Sequence, residues 1–392
     1  MKLLFYRYGS ICEPDILDTF REIGLDISEF SLEITEKNLP LQESITAVTN
    51  ELLEHPVDFV FSINFFPFLS EVCNIFHIRY VCWIVDSPVM ELYSTSIQNC
   101  WNRVFPFDTA LYEEFSPYNP DCIFYLPLAA NISPKSKLFS ESPQETHNRF
   151  SHDISFVGSL YTEKSPYRRL QNAPDYLLGF LDGIMSAQEQ IYGYFFLDQL
   201  LTDETITEFK KHLPGFYGYP AESFLTDRDT MAQLYLGTEV SARERMHSLE
   251  RLCDHHPVDI YTGSDTSSMH RIRNHGFAKS LTEMPLIFHN AKINLNITSK
   301  SIRNGLPLRI FDIISCGGFL LTNYQSDMHG LFAPGEDLAV YTSQDELVEL
   351  CDYYLHHDKE RQEIAMNGYE RLKKEHTYLI RIEKMLSTAF SS

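Results

Sequence analysis

Arg309 and Asp312 are the pair whose types and spacing first suggest chemistry. They lie within Asn304-Gly-Leu-Pro-Leu-Arg-Ile-Phe-Asp-Ile-Ile-Ser-Cys-Gly-Gly-Phe-Leu-Leu-Thr322. A separation of three puts both on one face of a helix. Pro307 suits a first helical turn and Gly317 the position just past the end, so the spacing predicts a short helix over 307–316. Gly305 lets a ligand approach the start of that helix, where unpaired N–H groups and the helix dipole favour an anion. A base near the helix start and an acid one turn later suit a nucleotide, with the guanidinium on phosphate and the carboxylate on ribose hydroxyls. The plain alternative is an ion pair on a surface helix.

Such a helix needs a sheet to present it. Short apolar runs alternate with helical stretches along the chain, which predicts α/β architecture with parallel sheets. In the first half, strands are expected at Lys2–Tyr6, Leu25–Leu32, Val57–Ile63, Tyr80–Val85, Arg103–Phe105 and Ile123–Leu126, with helices at Pro14–Ile23, Ser44–Leu53 and Pro67–Phe76. That makes one doubly wound domain, whose ligands bind at the carboxyl ends of the strands. Gly9, Asn64 and Asp86-Ser-Pro88 fall at such ends. Asp86 is a candidate general base, the alternative being a cap on the turn before Pro88. Residues 136–150 are polar and read as a linker.

In the second half, strands are expected at Ile154–Val157, Val258–Tyr261 (followed by Gly263), Ile293–Asn296, Phe319–Leu321 and Leu338–Tyr341. Between the first two of these, residues 167–252 form a helical insertion, in which Tyr176, Leu177, Phe180, Leu181, Ile184 and Met185 keep the helical period. Ser343 and Glu346 form a capping box that opens a further helix. A last helix runs from about Tyr378 to Ala389.

Composition narrows the partners. The chain has 392 residues, 44% of them apolar, with 32 basic against 54 acidic side chains, hence a net charge of −22. So acidic a chain repels phosphate backbones, which argues against nucleic acid but not against a small anion held by a few cations and N–H groups. No apolar run is long enough to span a membrane. The first residues read as a strand rather than a signal peptide. Eight scattered cysteines with no C-x-x-C predict buried reduced thiols and a cytoplasmic setting. Neither Asp227-Arg-Asp229, read as a helix N-cap, nor His255-His256, read as an exposed turn, is taken as a metal site. No metal is expected. No G-x-G-x-x-G, P-loop, G-x-S-x-G or H-E-x-x-H is present, which weakens dehydrogenase, kinase, esterase and metalloprotease readings.

The stretch Asp312-Ile-Ile-Ser-Cys-Gly-Gly-Phe-Leu-Leu resembles the Glu-Ala-x-Ala-Cys-Gly-x-Pro-Val-Val stretch of retaining GT-B glycosyltransferases. It is closer still to the CgeB-like, spore-maturation-type branch with Arg-x-Phe-Glu-x-x-x-x-Gly. Asp312 takes the place of the ribose-holding Glu, and Asn304 that of the first Glu of the motif. Phe156-Val-Gly-Ser-Leu-Tyr-Thr-Glu-Lys164 resembles the family's Val-Gly-Arg-Leu-x-x-x-Lys, whose Arg and Lys clamp the donor diphosphate. Lys164 falls on the Lys and Ser159 on the Arg, so Arg168 or Arg169 is the candidate to supply the missing charge. Trp83-Ile-Val-Asp-Ser-Pro88, Leu126-Pro-Leu-Ala129, Asn367-Gly-Tyr-Glu-Arg-Leu and His376-Thr-Tyr378 extend the likeness in order along the chain.

This resemblance implies two Rossmann-like domains facing across a cleft. The acceptor-side domain would cover 1–135 and the nucleotide-sugar domain 151–375, with 376–392 packing back on the first. The implied reaction moves a sugar from a nucleotide-diphosphate sugar, UDP-linked in the commonest case, to a protein or glycan acceptor. It would proceed with retention and without metal or cofactor. Lys164 and Arg309 would stabilise charge on the leaving diphosphate, and Asp86 would act on the acceptor. Gly9, Gly158, Ser159, Arg168, Gly263, Asn304, Gly305 and Asp312 complete the expected donor set. A homodimer, a nucleotide-sugar epimerase and a non-catalytic partner that kept the fold are left open.

Overall fold

The computed structural model describes residues 1–36, 40–220 and 222–391. It divides into two compact units: Met1–Ala129 with Tyr219–Leu225 and His376–Ser392, and Ala130–Gly218 with Thr226–Glu375.

The first unit is built on five parallel strands, β1 (Lys2–Tyr6), β2 (Asp26–Phe30), β3 (Phe59–Ile63), β4 (Arg79–Ile84) and β5 (Asn102–Pro106). Their order is β2-β1-β3-β4-β5, so the winding reverses between β1 and β3. The inner strands β3 and β4 are buried almost end to end, as a sheet covered on both faces requires. The expected strand at Ile123–Leu126 is reduced to one bridge, Ile123 with Val104. Phe124 N–H still bonds the Val104 carbonyl at 2.9 Å and Leu126 N–H the Pro106 carbonyl at 3.0 Å. Between them the ladder needs an N–H from Pro106, which has none. The helix Tyr378–Phe390 completes this unit: Tyr378 meets Trp83 edge-on at 5.9 Å and Phe390 meets Phe59 at 5.3 Å.

The second unit holds six parallel strands, β6 (Ile154–Val157), β7 (Val258–Tyr261), β8 (Ile272–Asn274), β9 (Ile293–Asn296), β10 (Leu320–Asn323) and β11 (Ala339–Tyr341). The order β11-β10-β9-β6-β7-β8 is the doubly wound arrangement whose direction reverses between β6 and β9. β8 has no sequence signature: it is three residues long, polar and at the edge. The stretch 136–150, expected as a linker, instead lies mostly in two helices of this unit, Ser133–Glu141 and Gln144–Arg149.

The helical insertion has a core of its own, in which Leu181, Met185, Leu197, Phe209 and Tyr235 are buried. Its last helix, Thr238–Cys253, continues directly from the π-helical turn Thr230–Gly237 and lays Leu249, Leu252 and Cys253 on the sheet core. One helix thus joins the insertion to the sheet. Asp227-Arg-Asp229 is the first turn after the N-cap Thr226, with both bonds of a capping box.

The Gly317-Gly318 pair shows why a local motif must be glycine. The helix Leu308–Ser315 ends with Gly317 at φ +69°, its N–H bonded to the Ile314 carbonyl at 2.9 Å. A Cβ on Gly318 would sit 2.3 Å from the Phe288 carbonyl oxygen. Gly317→Ala should therefore cost about 1–2 kcal/mol, the strain of a left-handed side chain. Gly318→Ala should cost more, since a backbone atom has to move. Urea unfolding of both variants gives the order, and equal stabilities would contradict this account.

Candidate functional site

The carboxyl ends of β6 and β9 flank the reversal point of the second sheet, and the loops that follow them carry most of the expected residues. After β6, Gly158 N–H extends the ladder to the Tyr261 carbonyl at 3.1 Å. Leu160 N–H bonds Ser264 Oγ at 2.9 Å, fastening this loop to the one after β7 that carries Gly263. Ser159 Oγ accepts from Tyr161 N–H and donates to Glu163 Oε1, both at 2.9 Å. Lys164 closes the turn with its N–H on the Tyr161 carbonyl at 3.0 Å, and its side chain is exposed.

After β9 the chain is tied down just as closely. Thr298 N–H bonds Asn323 Oδ1 at 2.8 Å, and Lys300 N–H bonds Ser241 Oγ at 2.9 Å. Lys300 Nζ turns inward, 3.3 Å from the fully buried Glu244 carboxylate and 4.1 Å from the Tyr192 ring centre. Burial pushes the Glu244 pKa up. Gln325 Nε2 donates to the Ile302 and Gly305 carbonyls at 3.1 and 3.0 Å, and the Asn304 carbonyl accepts from Asp327 N–H at 3.1 Å. This fixes the approach to the helix Leu308–Ser315. Pro307 takes the N-cap position, one residue earlier than expected.

Arg309, in the first turn of that helix, lies over the Phe288 ring at 5.1 Å and donates to Met284 Sδ at 2.7 Å. Its Nη1 is 3.8 Å from Asp312 Oδ2. On its other oxygen Asp312 faces Lys135 Nζ, also at 3.8 Å. The expected pair therefore exists, with Asp312 shared between two cations. Burial lowers the Arg309 pKa, Asp312 opposes that shift, and nearby Arg245 adds to it.

Arg245 is the residue that sequence reasoning missed. It projects from the helix Thr238–Cys253 and is almost fully buried. Nε and Nη2 donate to the Ile297 carbonyl after β9 at 3.1 and 2.7 Å, and Nη1 donates to the Ser159 carbonyl after β6. Its guanidinium lies 4.2 Å from the Tyr161 ring centre. One side chain thus holds both loops of the reversal point and brings a second positive charge near Arg309. Arg168, expected to supply the cation that Ser159 lacks, is committed elsewhere. Its Nε bonds Glu239 Oε2 at 2.9 Å and its Nη2 bonds Oε1 at 3.4 Å.

In the first unit Gly9, expected in the donor set, has its N–H on Glu13 Oε1 at 2.8 Å. The same oxygen takes the N–H groups of Tyr8 and Ser10, both at 3.0 Å, and Arg7 Nε bonds Oε2 at 3.0 Å. Glu13 is 1% exposed, so a carboxylate of the chain fills the anion nest of this loop. Asp86 remains exposed at the end of β4, with Asn64 Nδ2 donating to its Oδ2 at 2.7 Å and to Tyr8 Oη at 2.9 Å. Val85 and Asp86 N–H return to Asn64 Oδ1 at 3.0 and 3.3 Å.

Comparison with known proteins adds to this geometry. Residues 243–387, which begin two positions before Arg245, match the family described as Glycosyl transferase-like. The match covers the C-terminal part of the chain, and the chain as a whole has the GT-B fold. HepE from Anabaena, solved with UDP and glucose, aligns over 100% of both chains at 10% identity and TM-score 0.55. Sucrose-phosphate synthase from Thermosynechococcus elongatus aligns over 100% of this chain and 99% of its own at 9% identity and TM-score 0.58. A glycosyltransferase from Rickettsia africae aligns over 100% and 99% at 8% identity and TM-score 0.54. At such identities the likeness is one of fold. No curated protein matches the sequence.

The Arg245 tether should be measurable without any ligand. Arg245→Ala leaves the Ser159 and Ile297 carbonyls without these bonds and should destabilise the protein by about 1–3 kcal/mol. Arg245→Lys should recover little of that loss, because an ammonium cannot reproduce the planar fork that spans two loops. Denaturant titration decides; recovery by lysine would contradict the tether.

Proposed function

We propose that the chain is a glycosyltransferase that moves a sugar from a nucleotide-diphosphate sugar, UDP-linked, to a protein or glycan acceptor with retention of anomeric configuration. The observation that carries the reading is the positive charge at the reversal point of the second sheet, where Arg245 bonds the loops after β6 and β9 and Arg309 stands in the first turn of the helix that the second loop leads into. Ligands of doubly wound sheets lie at such points. The UDP and UDP-glucose bound in HepE support the choice of nucleotide and a hexosyl donor.

Breaking the anomeric C–O bond leaves negative charge on the departing diphosphate. Arg309, the exposed Lys164 and the first N–H groups of the helix Leu308–Ser315 supply positive charge there without needing a metal. Asp312 takes ribose hydroxyls, giving up one of its two ion pairs to do so. Asn304, Gly305, Gly158, Ser159 and Gly263 shape the donor pocket, and Arg245 holds its loops. Asp86, fixed by Asn64, acts on the acceptor. A place in the CgeB-like branch and a cytoplasmic setting belong to the same reading. No disulfide is present among the described residues, and all the cysteines but Cys100 are buried, which supports that setting.

One observation favours a second reading, a non-catalytic partner. Glu163, bonded to Ser159, adds an exposed carboxylate to the loop that would hold the diphosphate. A thermal-shift series with UDP, UDP-glucose and other nucleotide sugars separates the two. A ligand at 100 times its Kd stabilises the folded state by about 2.7 kcal/mol. If a donor binds and the wild type transfers sugar, Lys164→Ala and Arg309→Ala should each lower turnover by about 10²–10³. No shift with any nucleotide sugar would rule out the transferase reading, and unchanged turnover in Lys164→Ala would remove that residue from the clamp.

A further inference from the structure

We propose that His152, Asp259 and His275 form a binding site for a divalent transition-metal ion of the zinc class, using none of the residues placed in the donor loops.

The three side chains come from different parts of the second unit. His152 precedes β6, Asp259 lies in β7, and His275 follows β8. Parallel pairing of β7 with β8 sets Asp259 opposite Arg273 and Ile260 opposite Asn274, and His275 N–H then bonds the Ile260 carbonyl at 2.9 Å. Asp259 is 2% exposed, and its two oxygens face different imidazoles. Oδ1 is 2.7 Å from His275 Nε2, and Oδ2 is 3.5 Å from His152 Nδ1. One ligand atom from each residue lies within 4.8 Å of the other two. Tetrahedral zinc with bonds of about 2.0–2.2 Å sets its ligand atoms roughly 3.4 Å apart, so closure asks for side-chain shifts of about 1 Å.

The surroundings suit an ion. His152 Nε2 is 2.7 Å from Tyr261 Oη, which fixes the ring and leaves Nδ1 to face the site. An outer oxygen partner of this kind accompanies metal-bound histidine. The His275 ring stacks on Tyr261 at 4.8 Å and 21°, which limits its rotation. Two imidazoles and one carboxylate favour zinc or cobalt over magnesium or calcium. His275 is partly exposed, which leaves a way in and a fourth position for water.

Arg273 is the competitor. Its Nη2 lies 2.7 Å from Asp259 Oδ2, and its side chain is 56% exposed. A buried carboxylate needs a cation, and the guanidinium provides one when no ion is bound. An entering ion takes over that role and releases the arginine to solvent. Both histidines bind as neutral imidazoles, and any proton on His275 Nε2 or His152 Nδ1 leaves to solvent.

The test is titration of EDTA-treated full-length protein with Co²⁺ alone, reading its visible d–d bands, followed by competition with Zn²⁺. The wild type should develop intense bands that Zn²⁺ removes. His275→Ala and His152→Ala should lose them, and Tyr261→Phe should bind about tenfold more weakly. Arg273→Ala should bind more tightly, because it removes the competing cation. Absent bands in the wild type overturn the proposal, as do bands that survive both histidine substitutions. Should either histidine variant fail to fold, Arg273→Ala still decides, since unchanged or weaker binding there is incompatible with the site.

Discussion

Two peptide carbonyls on either side of a reversal in strand order are held by one guanidinium, and much of the second unit depends on that arrangement. The loops after β6 and β9 leave the sheet side by side and then diverge. Neither has regular structure to satisfy its carbonyl groups. Arg245 bonds both, Ser159 on one side and Ile297 on the other, from a helix whose far end lies on the sheet core. Buried carbonyls need such partners. Because the guanidinium is planar and permanently charged, the same bonds that order the loops also leave positive potential near Arg309. Loop order and local positive charge therefore share one cause.

The insertion is part of that cause. Its core around Leu181, Phe209 and Tyr235 is separate from the core of the sheet, and Thr238–Cys253 is the helix that joins them. Glu239 on this helix draws Arg168 aside, Glu244 holds Lys300, and Arg245 holds the loops. Three charged side chains on about two turns of helix account for how the insertion grips the strand ends. A helix buried on several sides can carry such residues only where each meets a partner.

Much of this architecture was legible in the sequence. Among the described residues the sequence pattern located ten of the eleven strands, most plainly the inner strands such as β3 and β4, which are covered on both faces and therefore continuously apolar. β8 lacked that signal, since an edge strand of three residues can be polar. Pro106 interrupted a ladder that the apolar run at Ile123–Leu126 seemed to complete. Around the site, local spacing found Arg309, Asp312 and the glycines that end their helix. It could not find Arg245, whose partners lie 86 and 52 residues away. Nor could it show that Arg168 answers to Glu239, 71 residues on. The His152, Asp259 and His275 group is equally dispersed, so no local pattern announces it. Charge and periodicity are local properties, whereas the partner of a charged side chain is decided by the fold.

Glu13 gives the first unit a different character from the second, although both are doubly wound. The loop after β1 gathers three N–H groups as a phosphate seat does, but the chain occupies that seat itself. A tethered carboxylate competes at an effective concentration that can reach millimolar, and Arg7 would lose one of its two carboxylate partners if it left. The nest of the first unit is thus filled by the chain's own carboxylate, and a free anion could enter only by displacing it. That occupancy is set when the chain folds.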